Sequence, residues 1–153
     1  MNRGDWQRLL HIKTYCEDIR SFIDRFGHDF EVFVSDRAYY NAVTMCILQI
    51  GELSNGLSEE YRELTKARMP WGMIRGMRNW LAHSYAEADE RIIWETANND
   101  IPKVLEFCMQ ETEGYRSSVC EPAMDARLAA ATDEAERRNA EHPKSNVNLD
   151  RTR

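Results

Sequence analysis

Six side chains, Leu9, Ile12, Cys16, Ile19, Ile23 and Phe26, recur at alternating spacings of three and four. This rhythm traces a single stripe along an α-helix and does not match the two-residue period of a strand. Trp6 extends the stripe by one turn, while Arg8, Asp18, Arg20, Asp24 and Arg25 fall on the opposite, solvated face. Gly27 is a stop signal. The pattern predicts a helix from Asp5 to about Phe26.

The segments after Gly27 also read as helical. Phe30, Val32, Phe33 and Val34 crowd into a short segment with the alternation of a strand but nothing nearby to pair with, so a short helical or irregular connector is expected. Ser35 or Asp36 can cap a second long helix, whose apolar face runs from Ala38 through Val43, Cys46, Ile50 and Leu53 to Asn55-Gly56. Gly51, inside that helix, leaves room for a neighbouring helix to approach closely. Ser58 caps a further short helix. Pro70 suits the first turn of a third substantial helix, from Trp71 to about Ala82, with Met73 or Ile74, Met77 and Leu81 inward. Asp89 caps a fourth, running through Ile92, Ile93, Trp94, Ala97, Ile101, Val104, Leu105 and Cys108. Pro102 within it removes a backbone donor and predicts a kink or a local restart. These elements make an all-α fold, an antiparallel bundle of four to five helices over residues 1–115. Residues 116–153 form a charged extension, a short Ala-, Glu- and Arg-rich helix to about Ala140 followed by a polar tail expected to be disordered.

A chain of 153 residues is long enough to bury a core without disulfides or metal. Cys16, Cys46, Cys108 and Cys120 show no paired spacing of the zinc or redox kind and read as reduced thiols, Cys120 the least constrained of them. No apolar run approaches the length of a membrane span and no signal-like start precedes the first helix, so a cytoplasmic location is expected. The formal charge of −6 argues against coating nucleic acid by bulk charge. It leaves room for a local basic site, and Lys66, Arg68, Arg75 and Arg78 form such a cluster. Residues 116–153 carry seven basic and seven acidic residues, so the acidic excess lies in residues 1–115.

That cluster leads into Ile74–Tyr85, which sets two arginines, an asparagine, a histidine, a serine and a tyrosine among Ile, Met, Trp and Leu. Arg78 and His83 are five residues apart, about 500° around an ideal helix, so they do not share one face. Either the helix ends between them or a second subunit completes a site. Asn79 and His83, four apart, do share a face. An imidazole beside a guanidinium suits phosphodiester chemistry: histidine moves a proton near neutrality, and arginine forks onto phosphate oxygens. Such a pair can cleave RNA without metal by activating the ribose 2′-hydroxyl. By itself the spacing is common and a weak signal, and His83 capping carbonyls beside solvated arginines is the commoner explanation.

The run Gly76-Met77-Arg78-Asn79-Trp80-Leu81-Ala82-His83-Ser84-Tyr85, with Ile50-Gly51-Glu52, Pro70-Trp71, Ile92-Ile93-Trp94-Glu95-Thr96 and Asn99-Asp100-Ile101-Pro102, resembles the HepT-like group of HEPN-domain proteins over roughly residues 5–110. The resemblance implies an all-helical homodimer and a metal-independent RNA endonuclease, the toxin of a toxin-antitoxin module. It needs no cofactor and has RNA as substrate. Arg78 and His83 would be the catalytic pair, supported by Asn79 and Arg75, and two copies would line one cleft. Tyr85 falls on the tyrosine that an MntA-like minimal nucleotidyltransferase antitoxin modifies with AMP. A phosphate added there would put negative charge where RNA phosphate must bind.

Lys66, Arg68 and Arg75 are candidates to guide the RNA backbone, with solvated charge as the bland alternative. Trp80 is bulkier than the arginine or small residue expected at its position. It could stack an RNA base, although packing against a core or subunit is the commoner use of such a residue. Glu52 reads as a helix-surface glutamate, with partnership to an arginine as the alternative. Tyr39, Tyr40 and Tyr61 read as packing residues, and His11, His28 and His142 have no company that suggests a role. The competing functional reading is a non-catalytic helical module that partners a nucleotidyltransferase.

Overall fold

The structure, a computed structural model, describes residues 1–84 and 88–119. Those residues are all-α, with no strand among them. Met1–Tyr115 forms one compact unit; of the second, Arg116–Arg153, the described residues 116–119 are helical. The expected helix to Ala140, the polar tail and Cys120 lie outside the described residues.

α1 (Arg3–Phe26) starts two residues ahead of the predicted point because the Asn2 side chain accepts from the Asp5 amide at 2.8 Å and caps it. Gly27, at φ 101°, ends it in a conformation that suits glycine. Leu9, Ile12, Cys16 and Ile19 are fully buried along the predicted stripe. The connector is a short helix, α2 (Phe30–Ser35), capped by Asp29. α3 (Arg37–Asn55) is capped by Asp36, whose carboxylate accepts from the amides of Ala38 and Tyr39. α4 (Glu59–Thr65) opens on Ser58. α5 (Trp71–Ser84) follows Pro70, whose carbonyl accepts from the amides of Met73 and Ile74. Pro70 thus stands one position before the first turn. Met73 is 76% exposed and Ile74 is the half-buried residue, which decides between the two inward candidates.

The fourth long helix opens as α6 (Glu90–Glu95) on an Asp89 cap. It widens into a π-helical turn at Thr96–Asp100 and continues as α7 over residues 101–115. A π turn just ahead of Pro102 shifts the local hydrogen-bond register where the proline ring would otherwise oppose a carbonyl one turn back. Ile92, expected inward, is 44% exposed, while Ile93 and Ala97 are buried.

α3 is the centre of the bundle and packs on α1, α2 and α5. Phe33, Tyr39, Tyr40 and Trp94 form an aromatic cluster at one end, with centroids 5.1–6.5 Å apart. At the other end the buried carboxylate of Asp5 accepts from the Ser58 amide at 2.8 Å and from its hydroxyl at 2.6 Å, tying the start of α1 to the start of α4. Trp6 donates to the Thr112 carbonyl and its ring lies tilted 5.6 Å from that of Tyr115, fixing α1 against α7. Cys16, Cys46 and Cys108 are free thiols in this core. Burial holds Cys46 up to about 11 and Cys108 up to about 12, and pushes Cys16 higher still, so all three stay protonated near neutrality. Among the described residues no helix is long and apolar enough to cross a membrane.

Candidate active site

α5 carries most of the candidate residues, and two anchors set its course. Trp71 is buried and donates from Nε1 to Thr65 Oγ1 at 2.9 Å, with its ring 5.6 Å from Phe107 of α7. Leu81, fully buried, holds the far end of the helix. Between them α5 lies against α3 at Gly51. A Cβ added there would sit 2.3 Å from Arg78 Cβ and 3.2 Å from the Ile74 carbonyl oxygen, so only glycine permits this approach. The close contact expected from Gly51 is therefore made, and the residue it admits is Arg78.

Arg78 is only partly exposed, and its head group is held twice. Nε donates to Glu52 Oε2 at 2.5 Å, and Nη1 donates to Asn79 Oδ1 at 3.0 Å. Glu52, expected as a plain surface glutamate, is thus the partner of this arginine. The apolar periodicity of α3 could not show it, because the contact depends on which helix lies alongside. The pair is open to solvent, where an ion pair contributes about 0–1 kcal/mol to stability.

His83 is exposed in the last turn of α5, and no described residue bonds its ring. The helix does not end between Arg78 and His83: it runs unbroken from Trp71 to Ser84, past the predicted Ala82. The two residues therefore point about 140° apart around one axis. Asn79, exposed, shares the His83 face by its spacing of four. Trp80 is half-buried and packs against the core. Tyr85 lies outside the described residues.

The basic residues ahead of α5 divide. Lys66 and Arg75 line one shallow depression of about 400 Å³ where α4 meets α5, together with Arg62. Lys66 is paired with Glu63 at 2.6 Å, and that hydrogen bond raises its pKa. Arg68 is turned away toward α7: it donates to Glu111 at 2.5 Å and to Gln110 at 3.1 Å, with its guanidinium 5.0 Å from the Phe107 ring. The same Glu111 accepts from the Tyr61 hydroxyl at 2.9 Å. Burial, then that bond, pushes the Tyr61 hydroxyl well above its usual range. Arg68 thus serves a fold contact that its place in a basic run did not suggest. Among the described residues no three His, Cys, Asp or Glu side chains gather where a metal ion could be held.

Residues 12–111 match the HepT-like family, described as ribonuclease HepT-like. A provisionally named RNase of Caldanaerobacter subterraneus subsp. tengcongensis is 39% identical over 96 residues, covering 63% of this chain and 83% of the relative. A second, from Methanocaldococcus jannaschii, is 31% identical over 109 residues, 69% of this chain and 88% of the relative. A protein named as a probable ribonuclease HepT in Thermococcus cleftensis is 33% identical over 97 residues, 60% and 87% of the two chains. No solved structure matches the chain.

Proposed function

Because the chain belongs to the HepT-like ribonuclease family of HEPN proteins, we propose that it is the endoribonuclease toxin of a toxin-antitoxin module, with Arg78 and His83 as its catalytic pair. The observation that carries this reading is the placement of the pair on α5: a held, partly exposed guanidinium and an exposed imidazole on one unbroken helix. Pointing about 140° apart, they converge on one scissile phosphate most simply when a second copy of the chain contributes to the cleft. A homodimer with two Arg78 and two His83 side chains around one strand of RNA meets that requirement.

The reaction needs no metal in this reading. One His83 takes the proton of the ribose 2′-hydroxyl, and the 2′-oxygen attacks the adjacent phosphorus. Arg78 stabilises the charge that gathers on the phosphoryl oxygens. The 5′-oxygen leaves and receives a proton from the second copy's histidine, giving a 2′,3′-cyclic phosphate and a 5′-hydroxyl. DNA lacks the nucleophile and is not cut. Silencing occurs when a nucleotidyltransferase antitoxin transfers AMP from ATP to the Tyr85 oxygen with release of pyrophosphate. The added phosphate lies two residues from His83 and repels the RNA backbone.

Purified protein incubated with cellular RNA in EDTA should yield fragments ending in cyclic phosphate, and His83→Ala should leave the RNA intact. Intact RNA with the wild type, or equal cutting by the variant, sinks the proposal and favours a non-catalytic partner of the nucleotidyltransferase. With that partner and ATP, wild-type protein should gain the mass of AMP and Tyr85→Phe should not; an equal gain in both excludes Tyr85 as the sole site.

A further inference from the structure

Two adjacent residues of α3 address one side chain of α5. Gly51 admits the stem of Arg78, whose Cβ lies only 2.3 Å from where a Cβ on residue 51 would be. Glu52 takes the head, accepting from Nε at 2.5 Å, and Asn79 accepts from Nη1 at 3.0 Å. An arginine side chain on an open helix face would sample many rotamers. Here the stem is pinned at its root and the guanidinium plane is fixed by two bonds from different directions. Both protons of Nη2 and the second proton of Nη1 remain to donate to phosphate oxygens.

From this juxtaposition we infer that Glu52 is a positioning residue for the ribonuclease reaction: it holds Arg78 by Nε so that the Nη fork faces the phosphoryl oxygens as charge builds on them. The inference rests on the reading of Arg78 as the catalytic arginine. It also sets the sign of two kinetic effects. A carboxylate beside the guanidinium lowers the local positive charge, so Glu52 weakens ground-state attraction for RNA while it aligns the group that matters in the transition state. Removing it lowers kcat and does not raise KM. A glutamate that merely steadied the fold would lower the melting temperature and leave that kinetic pattern unmoved.

The test uses the full-length protein and a short single-stranded RNA of defined sequence. Glu52→Ala should lower kcat by about 100-fold, the loss expected for a catalytic group displaced by about 1 Å, with KM unchanged or lower. Glu52→Gln, which keeps an acceptor for Nε, should recover most of kcat. Glu52→Ala added to Arg78→Ala should cost nothing further, because the group it positions is gone. Wild-type kcat in Glu52→Ala overturns the inference, and so does a full additional loss in the double variant. A second readout is independent of cleavage: the Arg78 Nε–H resonance should exchange slowly in the wild type and in Glu52→Gln, and rapidly in Glu52→Ala. If the wild type cuts no RNA, the ribonuclease reading fails. The resonance then still decides whether Glu52 holds Arg78, and equal exchange in all three proteins refutes that hold.

Discussion

Replacing Gly51 by alanine isolates the contact on which the candidate site is built. The added Cβ would lie 2.3 Å from Arg78 Cβ, whereas ordinary contact begins near 3.4 Å, so α3 and α5 must part by about 1.1 Å. The atom in the way is the root of a side chain, not its flexible end, so rotamer change cannot relieve it. Overpacking of this kind costs about 1–3 kcal/mol, against a gain of about 1 kcal/mol from replacing glycine inside a helix. Gly76 in α5 supplies the control: a Cβ there meets nothing within 4 Å, so Gly76→Ala should show the helix gain alone. With about 2.1 cal/mol/K per residue over Met1–Tyr115, each 1 kcal/mol moves the melting temperature by about 4 °C. Gly76→Ala should therefore melt about 4 °C above wild type, and Gly51→Ala about 4–12 °C below Gly76→Ala. Calorimetry of the three proteins side by side measures the difference. In the RNA assay Gly51→Ala should also lose about 100-fold in rate, since Arg78 moves with α5. Two variants that melt together would show that the helices do not meet as described, and would refute the reasoning whatever the enzyme does.

Asp5→Ala should cost about 1–3 kcal/mol in urea unfolding, because it strips the acceptor from the Ser58 amide and hydroxyl at a site that is 1% exposed. Asp24→Ala, on the exposed face of the same helix, should change stability by less than about 0.5 kcal/mol. Stability should also fall in alkali. Cys46 and Cys108 are raised from 9.0 to about 11 and 12, so above pH 9 the unfolded chain releases protons that the folded chain keeps, and stability drops as pH rises toward 12. The contribution is fully present below pH 9; a urea midpoint that holds steady from pH 8.5 to 10.5 would count against it. Iodoacetamide at pH 8 should leave Cys16, Cys46 and Cys108 unmodified in native protein and alkylate them in urea, as mass spectrometry of tryptic peptides can show.

Much of the helical frame was legible because its signals are local. The stripe from Leu9 to Phe26 and the caps at Asp36, Ser58 and Asp89 depend on residues within one or two turns, and each sits where periodicity and capping chemistry put it. The end of α5 and the course past Pro102 were less legible. Ser84 lies in a helix that carries no strong stop signal, and the π turn at Thr96–Asp100 is one of several ways a chain can absorb a proline.

The candidate site divides along the same line. Arg78, Asn79, His83 and Tyr85 stand in one short run, so their grouping and the resemblance they carry belong to the sequence alone, whereas the roughly 140° between arginine and histidine follows only because α5 runs unbroken to Ser84. The partners are another matter. Glu52 is 26 positions before Arg78, Glu111 is 43 beyond Arg68, and Ser58 is 53 beyond Asp5. No period or spacing links residues so far apart, since contact between them exists only once one helix face is laid on another. Packing chose Glu52 for Arg78 because Gly51 lets α5 lie close there, and it sent Arg68 to Glu111, away from the depression that Lys66 and Arg75 share.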